Sequence, residues 1–190
     1  ILKKIAESVT KPLSFNRLSN ILKSAGAVLG KQTVINYVGY MMDSYMLFTL
    51  QNYAAKLVEK ETSPKYYFMD TGLLGLMLMD CSSAQLENLV AIELIRRYGR
   101  ENVFYFEKNV EIDFYVPEEK LAIQVSLQVL DQIDTREREI GAFVKLKNFI
   151  GDATCLLITN SEEEELDYEG VHVSVVPVWK WLLQNRKQDI

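Results

Sequence analysis

Residues 110–127 read Val110-Glu111-Ile112-Asp113-Phe114-Tyr115-Val116-Pro117-Glu118-Glu119-Lys120-Leu121-Ala122-Ile123-Gln124-Val125-Ser126-Leu127. Successive side chains of a strand point to opposite faces. In the first run Val110, Ile112, Phe114 and Val116 therefore share one face, and Glu111, Asp113 and Tyr115 share the other. In the second run Leu121, Ile123 and Val125 alternate against Gln124 and Ser126. Two neighbouring strands of this pattern have an apolar face to bury and a polar face that gathers carboxylate, amide and hydroxyl groups.

The elements on either side predict a mixed α/β (α+β) fold. Leu86 to Tyr98 reads as a helix stopped by Gly99, and Val103 to Phe106 as a strand before the first run. Asp134 with Glu137 has the spacing of a capping box and opens a helix running to about Ile150. Thr154 to Thr159 and Val171 to Val176 read as strands, and Pro177 opens a short helix carrying Trp179 and Trp181. Residues 161–169 read as a solvated acidic loop. His172, the single histidine, has no partner visible in the sequence. Glu93 falls between Leu89 and Val90 on the apolar arc of its helix, a costly place for a carboxylate unless it is paired.

The first part of the chain has another rhythm. A short helix over residues 1–9 ends before Lys11-Pro12. Ser14 caps a second helix with Phe15, Leu18, Ile21 and Leu22 at helical spacing, stopping near Gly26. A third helix, Lys31 to Tyr45, places Val34, Val38, Met41, Met42 and Tyr45 on one stripe. Strand-like runs Leu47 to Ala54 and Lys65 to Asp70 follow, joined by a charged turn with Pro64. Three helices and a hairpin are the element order of a winged helix, in which the last helix enters the major groove. Lys31, Gln32 and Asn36 lie early on that helix and off its apolar stripe, with side chains suited to phosphate and base edges. The expected division is a winged-helix-like segment over residues 1–78 and a second domain over 79–190.

Composition narrows the chemistry. Residues 1–60 carry eight Lys/Arg against three Asp/Glu, a balance of +5, and residues 61–190 carry thirteen against twenty-three, a balance of −10. A basic half suits a phosphate-bearing partner such as DNA. Two distant cysteines and one histidine exclude a disulfide framework and a zinc site, and fit a cytoplasmic protein. The run Leu73 to Met79 is too short to span a bilayer, so no membrane partner is expected. The segment Gly26-Ala27-Val28-Leu29-Gly30-Lys31-Gln32-Thr33 has three residues between its glycines, and Gln32 after Lys31. A phosphate-binding loop needs four, and a hydroxyl straight after the lysine, so this segment should not bind ATP. The chain begins with Ile1 rather than Met and is read as part of something longer.

Several runs together resemble one family. They are Lys65-Tyr66-Tyr67-Phe68-Met69-Asp70-Thr71-Gly72-Leu73, Glu87-Asn88-Leu89-Val90-Ala91-Ile92-Glu93-Leu94, Glu111-Ile112-Asp113-Phe114, Ile123-Gln124-Val125-Ser126, Thr135-Arg136-Glu137-Arg138-Glu139 and Pro177-Val178-Trp179-Lys180-Trp181-Leu182. From about Ser14 to Leu183 the chain resembles the uncharacterised C-terminal region of prokaryotic AAA-type ATPases, a winged-helix segment followed by a PD-(D/E)XK, restriction-endonuclease-like domain. The resemblance implies an ATPase domain N-terminal to this region as a partner. It places Glu87, Asp113 and Gln124 at the metal positions of the nuclease and Ser126 where its lysine stands. Gln is a poorer Mg²⁺ ligand than a carboxylate, and Ser brings no positive charge. The expectation is a degraded, non-catalytic site with no cofactor, in a DNA- or partner-binding region. The alternatives are a Mg²⁺-dependent endonuclease, in which Glu111 replaces a ligand and Arg138 or Arg136 supplies a migrated charge, and a purely structural assembly module.

Overall fold

A computed structural model describes residues 1–56, 63–130 and 133–184, without the side chain of residue 133. The chain divides into two compact units, Ile1–Ile92 and Glu93–Ile190. Among the described residues no helix is long and apolar enough to cross a membrane.

The first unit opens with α1 (Leu2–Ala6), α2 (Phe15–Ser24) and α3 (Lys31–Asp43). The Ser14 side chain accepts a hydrogen bond from the Arg17 amide at 3.2 Å, as its capping position predicts. Helix α2 closes with Gly26 at φ +84°. The amides of Gly26 and Ala27 then return to the carbonyls of Lys23 and Leu22, which satisfies the helix's open end. Gly26 and Gly30 thus terminate one helix and precede the next. Val34 and Val38 carry the buried stripe of α3. Tyr45 departs from that stripe: it follows the helix at φ +56°, is 80% exposed, and turns the chain into β1.

Strands β1 (Leu47–Asn52) and β2 (Lys65–Phe68) pair antiparallel, from Leu47↔Phe68 to Leu50↔Lys65. The charged turn expected between them lies mostly at residues 57–62, outside the described residues. Pro12 bridges Lys65, and the Leu13 amide donates to the Pro64 carbonyl, so the α1–α2 connection lies along β2. The apolar run after β2 forms a short helix, α4 (Gly72–Met77), and just before it the Asp70 Oδ1 accepts from the Gly72 amide at 2.7 Å. Helix α5 (Ser82–Tyr98) begins four residues earlier than its apolar spacing predicts and ends at Gly99, φ +82°. Asn88 of α5 is fully buried. Its Oδ1 accepts from the Phe68 amide and its Nδ2 donates to the Phe68 carbonyl, completing the end of β2 as a strand would.

In the second unit, β3 (Phe104–Glu107), β4 (Glu111–Val116) and β5 (Leu121–Val125) form an antiparallel meander. Helix α6 (Ile133–Ile150) crosses over to β6 (Thr154–Thr159), which runs parallel to β5. Asp134 therefore lies inside the first turn of α6 rather than at its cap. Strand β8 (Val171–Pro177) is parallel to β6, and β7 (Glu164–Tyr168) closes the edge antiparallel to β8. The resulting order is β3-β4-β5-β6-β8-β7. Ile112, Phe114, Ile123, Leu157, Val173 and Val175 of the sheet are buried, as are Ile140, Phe143 and Leu146 of α6. Helix α7 (Val178–Leu183) buries Trp181 and leaves Trp179 more than half exposed.

The acidic stretch and His172 also depart from expectation. Residues 164–168 are a strand and not an acidic loop, because Leu166 supplies a buried inward contact and the backbone pairs with β8. The Glu162 carboxylate is also not simply solvated. It accepts from the Val129 and Leu130 amides at 2.6 and 3.1 Å, fastening the segment after β5. His172, which the sequence leaves without a partner, sits opposite Asp167 and contacts it through Nδ1 at 3.0 Å and Glu165 through Nε2 at 3.1 Å.

Candidate functional site

The polar face of β4 and β5 gathers Asp113, Gln124 and their neighbours within the second unit. Registered pairing of the two strands runs from Val116↔Leu121 to Phe114↔Ile123. At the next position side chains replace the backbone ladder. Gln124 Oε1 accepts from the Asp113 amide at 2.9 Å, and Gln124 Nε2 donates to the Glu111 carbonyl at 3.1 Å. Asp113 Oδ2 accepts from the Val125 amide at 2.9 Å. Both ends of the Gln124 amide, which is buried, are thus engaged by β4. Ser126 donates through its hydroxyl to the Gln128 carbonyl at 3.1 Å, and its amide donates to Ile158.

Helix α6 brings a charged pair toward this face. Arg138 Nη2 lies 2.6 Å from Glu139 Oε1; the arginine is largely exposed and the glutamate nearly buried. Burial raises the Glu139 carboxyl above its ordinary range; its bond to Arg138 opposes the rise, and the charges of Asp113 and Glu111 add to it. Glu139, and more weakly the charges of Asp113 and Glu111, hold the Arg138 guanidinium more firmly protonated. Arg138, Glu139, Asp113 and Glu111 therefore act as one electrostatic group. Within each unit, among the described residues, no three His, Cys, Asp or Glu side chains converge closely enough to hold a metal ion.

Glu87 lies in the first unit. Its Oε1 accepts from the Tyr67 hydroxyl at 2.8 Å and lies 3.9 Å from Nζ of Lys65, which is fully buried. Its carboxylate is thereby tied to β2. Lys31, Gln32 and Asn36 are all exposed on α3, and Gln32 Nε2 donates to Asn36 Oδ1 at 3.0 Å.

Sequence reasoning missed Glu139, Lys65 and Glu162 as structural participants. Glu139 had a usable signal: it shares α6 spacing with Phe143 and Leu146, both buried. Lys65 heads an otherwise aromatic strand and had none. Glu93, by contrast, is paired as its position demands. It receives bonds from Arg96 and Arg97, which hold its carboxyl below the usual range despite burial. Arg97 also lies 4.1 Å over the Trp181 ring and donates to the Trp181 carbonyl, fixing α7 to α5.

Comparison with known proteins yields a family and a curated relative. A family described as a domain of unknown function, DUF8612, matches residues 1–84. The chain is similar to the uncharacterized protein MJ1544 of Methanocaldococcus jannaschii, 32% identical over 181 residues. That similarity covers 90% of this chain and spans 41% of the relative's length. No solved structure gives a significant match.

Proposed function

We propose that this chain is a non-catalytic binding region of an AAA-type ATPase. In this reading the first unit is a winged helix that contacts DNA through α3, and the second is a nuclease-like scaffold used for recognition or assembly. The observation that carries it is the state of Gln124. A metal-dependent nuclease spends the oxygens of these strand positions on Mg²⁺; here the amide of Gln124 and one oxygen of Asp113 hold β4 and β5 together. Ser126, at the lysine position, gives its hydroxyl to a backbone carbonyl. The three helices, the antiparallel strand pair and the Pro12–Lys65 bridge support the winged-helix reading of the first unit. The length of the relative beyond the matched part leaves room for the ATPase domain.

The test is DNA binding by the 190-residue chain at low salt, with and without Mg²⁺ or Mn²⁺. Salt-sensitive binding that is lost in Lys31→Ala, with no strand scission, is the expected result. One observation favours a second reading, a Mg²⁺-dependent endonuclease: Arg138 lies within electrostatic reach of Asp113 and Glu111, where a migrated cation would act. Plasmid nicking that requires the metal and disappears in both Asp113→Ala and Arg138→Ala would establish that reading and overturn the first.

A further inference from the structure

The outward ridge of α3 has a composition that the DNA reading alone does not require. Residues four apart on a helix lie above one another. Gln32, Asn36 and Tyr40 therefore form a single ridge, with Tyr37 beside it. Tyr40 is 64% exposed and Tyr37 is 44% exposed. Their rings meet edge to face with centroids 6.4 Å apart. The hydrogen bond from the Gln32 amide to the Asn36 carbonyl oxygen orders the first half of the ridge. Apart from Lys31 at its head and Asp43 at its end, the exposed face of this helix is uncharged.

A phosphate-tracking helix would present lysines and arginines along this line. A ridge of amides followed by aromatic rings instead offers base-edge hydrogen bonds and flat apolar faces. Inside a duplex the base faces are already covered by their neighbours, so the tyrosines have stacking partners only where bases are unpaired. The +5 balance of residues 1–60 supplies the attraction for a polyanion that such a platform needs. Resting on the proposed nucleic-acid role of the first unit, we infer that Tyr37 and Tyr40 form a stacking platform for unpaired nucleotides, with Gln32 and Asn36 addressing the adjacent base edges.

The experiment is fluorescence anisotropy of the 190-residue chain with a labelled oligothymidylate and with a labelled duplex of equal length, at low salt. The single strand should bind more tightly. Tyr37→Ala with Tyr40→Ala should weaken single-strand binding by roughly 10-fold or more, because each stacked base contributes substantially. Tyr37→Phe with Tyr40→Phe should retain the affinity, since the ring and not the hydroxyl does the stacking. Both rings lie outside the core, and unchanged circular dichroism will verify the fold. Duplex binding that equals or exceeds single-strand binding, or single-strand binding indifferent to the alanine pair, overturns the platform while leaving the DNA role of the first unit standing. Failure of the unsubstituted chain to bind either probe overturns both, and would turn the ridge toward a protein partner.

Discussion

Gln124 shows how one side chain can hold two strands together where their backbone ladder stops. Its amide presents a carbonyl acceptor and N–H donors, the same kinds of group as a peptide unit, with one donor more. That is why it can take over from the backbone where the β4–β5 ladder stops. Truncation leaves the Asp113 amide and the Glu111 carbonyl without this partner in a half-buried setting. Gln124→Ala is therefore expected to lower stability by about 2 kcal/mol. Urea unfolding should show it as a reduced midpoint, and a loss below about 0.5 kcal/mol would mean that the two bonds hold nothing.

Glu139 carries a second prediction at the same scale. Burial makes its carboxyl harder to ionise in the fold than in the unfolded chain, and Asp113 and Glu111 push the same way. A group whose folded pKa is raised binds its proton more tightly when folded. The unfolded chain therefore releases that proton first as pH rises, and the fold loses stability from the ordinary glutamate range up to the folded value. Glu139→Gln removes this titration. Stability of the unsubstituted chain relative to Glu139→Gln should thus fall as pH rises from about 4, measured by denaturant midpoints at a series of pH values. A constant difference across pH would show that Glu139 titrates alike in both states.

Among the elements, those with strong local signals are where the sequence places them. Ser14 announces α2, Gly99 ends α5, and the alternating apolar residues of β4, β5, β6 and β8 mark strands to within a residue or two. Strand β7 was not legible. Glu164, Glu165 and Asp167 have low strand propensity, and only Leu166 points into the core. What makes it a strand is the open edge of β8, a tertiary cause that no local window contains. The polar face of the candidate site was legible for the same reason as the strands, because alternation places Asp113 with Glu111 and Gln124 with Ser126. The hydrogen bonds across it were not, because they depend on where the ladder ends.

The β7–β8 pair has a prediction of its own. His172 bonds to Asp167, and both Asp167 and Glu165 raise its pKa from the ordinary imidazole value. The contribution of the imidazolium to this edge is complete below the unfolded-state value of about 6.5 and is lost as pH rises through the folded value. The chain has one histidine, so its imidazole resonances are assigned without mutagenesis. An NMR titration should place its midpoint above about 6.5, and Asp167→Asn should move it down. A midpoint at the ordinary value that ignores Asp167→Asn would remove the cross-strand contact.

At the scale of the whole molecule, charge is divided along the chain: +5 over residues 1–60 and −10 over the rest. A polyanion meets attraction from one part and repulsion from the other. On the proposed nucleic-acid reading, contacts from the α3 ridge would displace few counterions, because amides and tyrosines neutralise no phosphate. Binding to nucleic acid should then depend on salt less steeply than for a protein that wraps a duplex with lysines. Each neutralised phosphate contributes about −0.9 on duplex and about −0.7 on single strands to the slope of log K against log salt. With Lys31 and a few neighbouring cations engaged, the expected slope is roughly −1 to −3. Anisotropy titrations at several salt concentrations measure it directly. A slope steeper than about −6 would mean that a broad basic surface, and not the aromatic ridge, holds the nucleic acid.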